Sequence, residues 1–113
     1  MPFISIKTNQ TINSTTETNL KNKVGNAVKN LGKTEDWLML EFEDEKRMYF
    51  RGDSSEGIAF IEVKIYGKAC RMAYDDMTKE LTKIVSLELD IPANNIYIKY
   101  EEINTWGYNG VNF

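Results

Sequence analysis

The chain repeats one order of residue types twice, and this repetition limits the folds open to it. Residues 3–7 recur as residues 60–64, an offset of 57, with apolar and polar types matched at each position. Residues 38–43 recur as residues 96–101, an offset of 58, as one inserted residue would produce. Between them, an apolar spacing typical of one helix face recurs as well, first as Leu20, Val24, Ala27 and Val28, then as Met77, Leu81, Ile84 and Val85. Each half is therefore predicted to form a strand, a helix and a strand.

The ends of these elements carry their own signals. Gly32 follows the first apolar stripe and suits a helix C-terminal cap. In the second half, Asp75 and Asp76 are predicted to lie at the start of the helix, and Pro92 lies beyond its end. Residues 48–50 are expected to add a short, locally paired strand before the turn-rich residues 51–57.

Two β-α-β units with right-handed crossovers predict a single α+β domain over residues 1–113, with repeats 1–57 and 58–113. The four strands form one sheet, and both helices cover the same face. The alternating residues that would pack beneath the helices are apolar: Ile4, Ile6, Leu38, Leu40, Phe42, Ile61, Val63, Ile65, Ile96 and Ile98.

The other face of the predicted sheet mixes large apolar residues with charges of both signs, as at Phe3, Lys7, Glu62, Tyr97 and Lys99. Such a face suits a hydrated interface between subunits, in which opposite charges pair. An exposed face with ordinary charge alternation is the alternative. Assembly is favoured because the aromatic side chains would otherwise lie in water.

Composition narrows the possible partners and the possible chemistry. The formal net charge is −3 and the pI is about 5.0, which argues against a nucleic-acid or anionic-membrane surface. With no leader pattern and no apolar run of spanning length, we expect a soluble protein without membrane insertion. The lone Cys70 and the absence of histidine argue against a cysteine–histidine nucleophile or a zinc site.

Pro2 follows the initiator methionine and precedes the first predicted strand. A small second residue normally permits removal of Met1, which would leave a secondary amine held by its own ring. An α-amino group titrates just above neutrality and can act as a general base when burial or a nearby cation lowers its pKa. On this residue alone, the start of an edge strand, where a missing N–H does no harm, is the simpler interpretation.

Several separate motifs occur in one order: Met1-Pro2, residues 31–33, 52–56, 65–68 and 96–98, and the tail 106–113. Together they resemble the macrophage migration inhibitory factor family of the tautomerase superfamily, especially its microbial and protozoan members. The resemblance covers the whole chain. It implies a homotrimer whose sheets surround a solvent channel, and Pro2 as the catalytic group.

The resemblance also implies a set of substrate-binding residues: Lys33, Ile65, Tyr66, Tyr97, Lys99, Tyr108 and Phe113. Lys33 would bind the substrate carboxylate and help keep the Pro2 nitrogen deprotonated, although a lysine also suits a helix C-terminus without any such role. Tyr66 would offer its backbone N–H, and its ring would narrow the pocket or add a hydroxyl donor. Tyr97 would enter from a neighbouring subunit, and Tyr108 and Phe113 would form an aromatic rim.

Lys99 replaces a neutral polar residue of the family. Its ammonium would either support substrate binding and lower the pKa of Pro2, or pair with Glu62 or Glu101. The Cys-x-x-Cys segment of the vertebrate cytokine is replaced here by residues 57–61, so thiol–disulfide activity is not expected.

The activity implied is an isomerase: a phenylpyruvate tautomerase and L-dopachrome isomerase acting on small aromatic keto or enol acids, without metal or cofactor. The alternative is a cytokine-like homologue, released by a leaderless route, that binds an animal cell-surface receptor and has vestigial catalysis. For the enzyme we expect a cytoplasmic location. Replacing Pro2 by glycine distinguishes these two hypotheses.

Overall fold

The computed structural model describes all 113 residues, Met1–Phe113. Its helices and strands follow in the order β1 (Pro2–Thr8), α1 (Ser14–Ala27), β2 (Met39–Glu43), β3 (Ala59–Tyr66), α2 (Arg71–Leu89), β4 (Ile96–Ile103), β5 (Gly107–Tyr108) and β6 (Val111–Asn112). Short 3-10 turns lie at Val28–Leu31, Glu35–Trp37 and Ala93–Asn95. The predicted α+β fold with two strand-helix-strand units is confirmed.

The main sheet has four strands in the order β2-β1-β3-β4. Strand β1 is parallel to β2 and antiparallel to β3, and β3 is parallel to β4. Strand β1 is thus a central strand, and the interpretation of Pro2 as the start of an edge strand is wrong. A proline is tolerated there because Pro2 is the first residue of the strand.

The core lies between this sheet and the two helices. Ile4, Ile6, Ile61 and Val63 are completely buried on one sheet face. The predicted helix stripes face them, and the remaining predicted strand residues pack around the edge of the same cluster. The alternation of apolar and polar residues along each strand therefore correctly predicted which face of the sheet carries the core. Neither helix is both long and apolar enough to cross a lipid bilayer.

Ion pairs cross the opposite, open face of the sheet. Lys7 Nζ lies 2.5 Å from a carboxylate oxygen of Glu62 and 3.3 Å from one of Glu43. Lys99 Nζ lies 3.4 Å from Glu62 and 3.2 Å from Glu101. The charges on this mixed face are therefore paired within one subunit.

Two helix ends illustrate what local signals predict. Gly32 adopts a left-handed conformation (φ 70°) after α1 and the 3-10 turn, as its sequence position predicted. The predicted start of α2 at Asp75 and Asp76 is wrong, since the helix begins at Arg71. The first turn is held by tertiary contacts rather than by an acidic cap: Tyr74 packs against the core, and its hydroxyl accepts the Ala69 N–H at 3.2 Å.

Two loop predictions also need correction. The expected strand at residues 48–50 is reduced to one isolated bridge between Phe50 and Asp53, because Arg51 and Gly52, both with positive φ, reverse the chain at once. Conversely, the tail forms an unpredicted hairpin of β5 and β6. The signal was present, since Asn109-Gly110 suits the tight turn that both residues form with positive φ.

Candidate active site

The topology brings three separate segments to one end of the sheet. Strand β2 begins opposite Phe3, so the loop from α1 into β2 lies at the Pro2 end. Strand β3 ends there as well, because Pro2 is paired with Ile65. Strand β4 runs parallel to β3 and ends opposite Tyr66, which places the tail at the same end.

Pro2 is buried at this end, and backbone groups surround the peptide bond that precedes it. The Tyr66 N–H donates to the carbonyl oxygen of Met1 at 3.2 Å. Lys33 Nζ donates to the carbonyl oxygen of Tyr66, also at 3.2 Å. The Tyr66 peptide therefore links the Met1 carbonyl, through its N–H, to the Lys33 ammonium, through its carbonyl oxygen.

The electrostatics favour a neutral amine at the N-terminal end of β1. Burial, followed by the positive charge of Lys33, lowers the pKa of the Met1 α-amino group below its ordinary value. Both causes act on the charged form, which loses hydration and is repelled by the ammonium. The structure therefore provides a place where an amine loses its proton more readily than in water.

A pocket of about 350 Å³ opens beside Pro2, within the size range of small-molecule sites. Its walls come from β1, the loop before β2, and the tail: Met1, Pro2, Phe3, Asp36, Trp37, Leu38, Met39, Trp106, Gly107 and Tyr108. The rings of Trp37 and Tyr108 meet edge to face, with centroids 5.3 Å apart. This is the one cavity of the structure that contains Pro2.

The tail beside this pocket folds into a hairpin. Phe113 N–H donates to the Trp106 carbonyl at 2.8 Å, which closes the hairpin at its base. The ring of Phe113 lies 6.1 Å from that of Tyr66, measured between centroids. Tyr66, Tyr108 and Phe113 are therefore brought to the Pro2 end, together with Ile65 and Lys33.

Tyr97 and Lys99 lie elsewhere in the subunit. Tyr97 is paired with Phe60, which is paired with Lys7 at the far end of β1, roughly 17 Å along the strand from Pro2 at about 3.3 Å per residue. Tyr97 packs edge to face on Phe50 and borders a separate cavity of about 120 Å³. Within one subunit, neither residue reaches the pocket.

Lys99 pairs with Glu62 and Glu101 on the open sheet face, which is the second of the two arrangements expected from the sequence. Hydrogen bonds to Glu101 first, and to Glu62 second, raise the pKa of Lys99. The ammonium is therefore held in its charged form by carboxylates of its own subunit.

Among the lining residues that sequence reasoning did not assign to the pocket are Asp36 and Trp37. Both lie in the 3-10 turn before β2, three and four residues after Lys33. Placing the loop after Lys33 at the parallel start of β2 would have brought them beside Pro2. The structure contains no group of three or more His, Cys, Asp or Glu side chains that could hold a metal ion.

The topology and the pocket at the first strand define an α+β protein of the tautomerase fold class. All of residues 1–113 match the family model described as Macrophage migration inhibitory factor (MIF), and the chain belongs to that family. Members of this family are typically oligomeric.

Known relatives agree over the whole length. The chain is 31% identical to the Macrophage migration inhibitory factor of Xenopus laevis, over all of this chain and 99% of that protein. It is 30% identical to the Brugia malayi homolog, with the same coverage. Among solved structures, that of Leishmania major MIF2 superposes with a TM-score of 0.92 at 30% identity, covering 100% of this chain and 97% of that one.

Proposed function

We propose that this protein is a keto–enol tautomerase of the phenylpyruvate tautomerase and L-dopachrome isomerase type, with Pro2 as general acid and base after Met1 is removed. Its substrates are small aromatic keto or enol acids. The proposal is supported by family membership and by the arrangement of groups around Pro2.

The position of the Met1 carbonyl is the observation that carries the proposal. That oxygen is bonded to the carbon attached to the Pro2 nitrogen, and it accepts the Tyr66 N–H at 3.2 Å. Removing Met1 frees both the Pro2 nitrogen and the Tyr66 N–H, and leaves space between them. The Met1 carbonyl oxygen stands in for the carbonyl or enol oxygen of a substrate, which would lie beside a free amine.

Each group then has a chemical role. In the keto-to-enol direction, the Pro2 nitrogen takes a proton from the carbon next to the substrate carbonyl, and the carbonyl oxygen gains negative charge. The Tyr66 N–H donates a hydrogen bond to that oxygen, which takes a proton from solvent water to give the enol, while protonated Pro2 later returns its proton to solvent. Lys33 binds the substrate carboxylate and favours the neutral, proton-accepting form of Pro2. In the reverse direction, protonated Pro2 returns the proton to carbon.

We propose that a homotrimer completes the site. Tyr97 and Lys99 lie far from Pro2 in their own subunit, whereas Tyr97 is 57% exposed at the opposite end of the sheet. An exposed tyrosine on a strand is available to a neighbouring copy. The aromatic residue of one subunit would then close the pocket of the next.

The first test compares three forms of the protein in phenylpyruvate enol–keto conversion, with intact mass measured for each. The forms are the chain with free Pro2, the Pro2→Gly variant, and a chain with an N-terminal extension that keeps the Pro2 nitrogen as an amide. We expect kcat/KM to fall by about 100-fold or more in the last two, because both lack the secondary amine.

The extended form retains every side chain of the pocket, but its added carbonyl also occupies the Tyr66 N–H, so Pro2→Gly is the variant that isolates the loss of the secondary amine. Equal activity in all three forms would remove Pro2 from the mechanism. A verified free-Pro2 protein with no activity would defeat the enzyme hypothesis, and a receptor-binding protein of the same family would become the better proposal.

A further inference from the structure

The Pro2 pocket combines several aromatic rings with a single acidic side chain. Of the ten residues that line it, four are aromatic, namely Phe3, Trp37, Trp106 and Tyr108. Asp36 is the one lining residue with a charged side chain. Aromatic ring faces and a carboxylate both attract a cation, whereas the carboxylate repels an anionic group.

The carboxylate of Asp36 is available for a ligand. Asp36 is exposed and takes part in none of the eight ion pairs of the structure. It also borders the adjoining groove beside Leu38. Its charge is therefore not already neutralised by a lysine or arginine of this subunit.

The preceding residue, Glu35, shows that this placement is specific to one of two neighbouring acids. The Glu35 side chain lies against Gly25 of α1, so closely that a side chain at position 25 would collide with it. It lines the groove between α1 and β2 and not the Pro2 pocket. Both consecutive acids of this 3-10 turn line the groove, but only Asp36 also lines the Pro2 pocket.

The aromatic side chains of the pocket also keep open surface. Trp37 is 54% exposed and Tyr108 is 46% exposed, although their rings contact each other edge to face. An edge-to-face pair leaves part of one ring face free. Large exposed aromatic surface beside an acid is the arrangement by which proteins bind ammonium groups.

Groups of opposite charge therefore both lie in the neighbourhood of Pro2. The ammonium of Lys33 is near enough to the Met1 amine to lower its pKa, whereas Asp36 lies on the wall of the aromatic pocket. A ligand with a carboxylate at one end and a cation at the other matches both. A ligand with only a carboxylate satisfies Lys33 and is repelled by Asp36.

We infer that Asp36, with the rings of Trp37 and Tyr108, makes this site selective for aromatic keto acids that carry an ammonium-type substituent away from their carboxylate. The inference rests on the proposed function for its keto-acid part, and on the pocket alone for its cation part. Asp36 is a specificity-determining residue here and takes no part in proton transfer.

The kinetic test compares phenylpyruvate with 4-(trimethylammonio)phenylpyruvate in the wild type, in Asp36→Asn and in Glu35→Gln. For the cationic substrate, we expect Asp36→Asn to raise KM by about 3- to 10-fold, the size of a partly exposed charge interaction. For phenylpyruvate, KM should fall slightly, because a like charge is removed. The Glu35→Gln control should change neither value.

The binding test needs no turnover. Phenyltrimethylammonium and its neutral isostere tert-butylbenzene are titrated against wild type and Asp36→Asn, with tryptophan fluorescence as the signal. We expect the cation to bind more tightly than the isostere, and this preference to shrink by about 3- to 10-fold in Asp36→Asn and at high salt. Equal binding of both probes, or an equal loss in Glu35→Gln, would overturn the inference.

The two proposals fail separately. Phenylpyruvate turnover with an unchanged substrate preference in Asp36→Asn would defeat the selectivity and leave the tautomerase. No turnover together with Asp36-dependent cation binding would defeat the tautomerase and leave a cation-binding pocket.

Discussion

The two repeats of this chain build the same scaffold, but only the first has a proline and a lysine at the matched positions. Gly32 and Asp90 end the two helical segments in the same left-handed conformation, with φ of 70° and 54°. The next N–H donates back to a carbonyl five residues earlier in both cases, at 3.2 Å, from Lys33 to Val28 and from Ile91 to Ser86. The backbone geometry of the two halves therefore agrees even at the cap.

The side chains at matched positions do not agree. The offset of 57 aligns Pro2 with Ala59, and the caps align Lys33 with Ile91. Ala59 and Ile91 are 2% and 1% exposed and belong to the core. Because β1 and β3 are antiparallel, the start of β3 lies at the other end of the sheet from Pro2. The cavity at that end has a volume of about 120 Å³, whereas the pocket beside Pro2 has a volume of about 350 Å³. The end of the sheet with the larger cavity is therefore the one at which the matched positions hold Pro2 and Lys33.

If the two repeats share one scaffold, equivalent core truncations should lower the free energy of unfolding by the same amount in both halves. Leu20 on α1 and Met77 on α2 are completely buried and occupy matched positions. We expect Leu20→Ala and Met77→Ala each to lower the free energy of unfolding by about 2–5 kcal/mol, as buried truncations do. Urea denaturation at one fixed protein concentration measures both, since an oligomer adds a concentration dependence.

The neighbouring exposed lysines provide controls for this comparison. Lys21→Ala and Lys79→Ala should change stability by less than about 0.5 kcal/mol. A large loss in only one of the two core variants would mean that one repeat alone determines folding, which would break the proposed equivalence.

Lys33 in the first repeat has Ile91 as its counterpart in the second, and this difference predicts a second, smaller effect at Lys33. Lys33→Met should lower kcat/KM for phenylpyruvate by about 10- to 100-fold, because a charge-assisted contact to the carboxylate is lost. Burial and then Lys33 lower the pKa of the Met1 amine, and we expect the Lys33 charge to act in the same direction on a free Pro2 amine, so its removal should also move the rising limb of the kcat/KM profile to higher pH.

The shift in the pH profile separates this role from mere structural support. Lys29→Met is the control, since Lys29 is exposed on the 3-10 turn just before Gly32. A Lys33→Met variant with reduced activity and an unmoved pH profile would leave Lys33 as a carboxylate ligand only.

The sequence predicted the scaffold better than the site because the scaffold depends on the periodic spacing of apolar residues. Alternation in the strands identified the buried face at Ile4 and Ile61, and the repeat itself supplied the sheet. The start of α2 was missed because Tyr74, rather than an acidic cap, holds its first turn. The same hydroxyl donates to Glu102 on β4 at 2.6 Å, a contact between residues 28 positions apart that no local pattern encodes.

Within the site, the resemblance predicted residues that pattern alone could not, and their roles stay predictions. Nothing about the spacing of Lys33 distinguishes a ligand from a charge at a helix end. Asp36 and Trp37 were missed because their role depends on the loop into β2 returning to the first strand. The hairpin of the tail, by contrast, could have been predicted from Asn109-Gly110.

The smallest predicted effect concerns the two helix caps. Gly32 and Asp90 have the same left-handed backbone conformation but different side chains. A glycine adopts positive φ without strain, whereas an aspartate there is strained. An added Cβ at Gly32 meets no atom within 4 Å, so only the backbone conformation opposes a side chain at that position. Gly32→Ala should therefore destabilise the protein by about 1 kcal/mol, and Asp90→Gly should stabilise it by about 0.5–1 kcal/mol.

Denaturation of both cap variants, with Asp90→Ala as the matched control, tests whether the caps are energetically equivalent. Asp90→Ala should not stabilise, because alanine keeps the Cβ that is strained at positive φ and gains none of the freedom of glycine. Stabilisation by Asp90→Ala equal to that of Asp90→Gly would point instead to the negative charge at the end of α2, where the helix dipole disfavours an acid. The caps would then share a shape without sharing its energetics, and the equivalence of the repeats would hold for their cores alone.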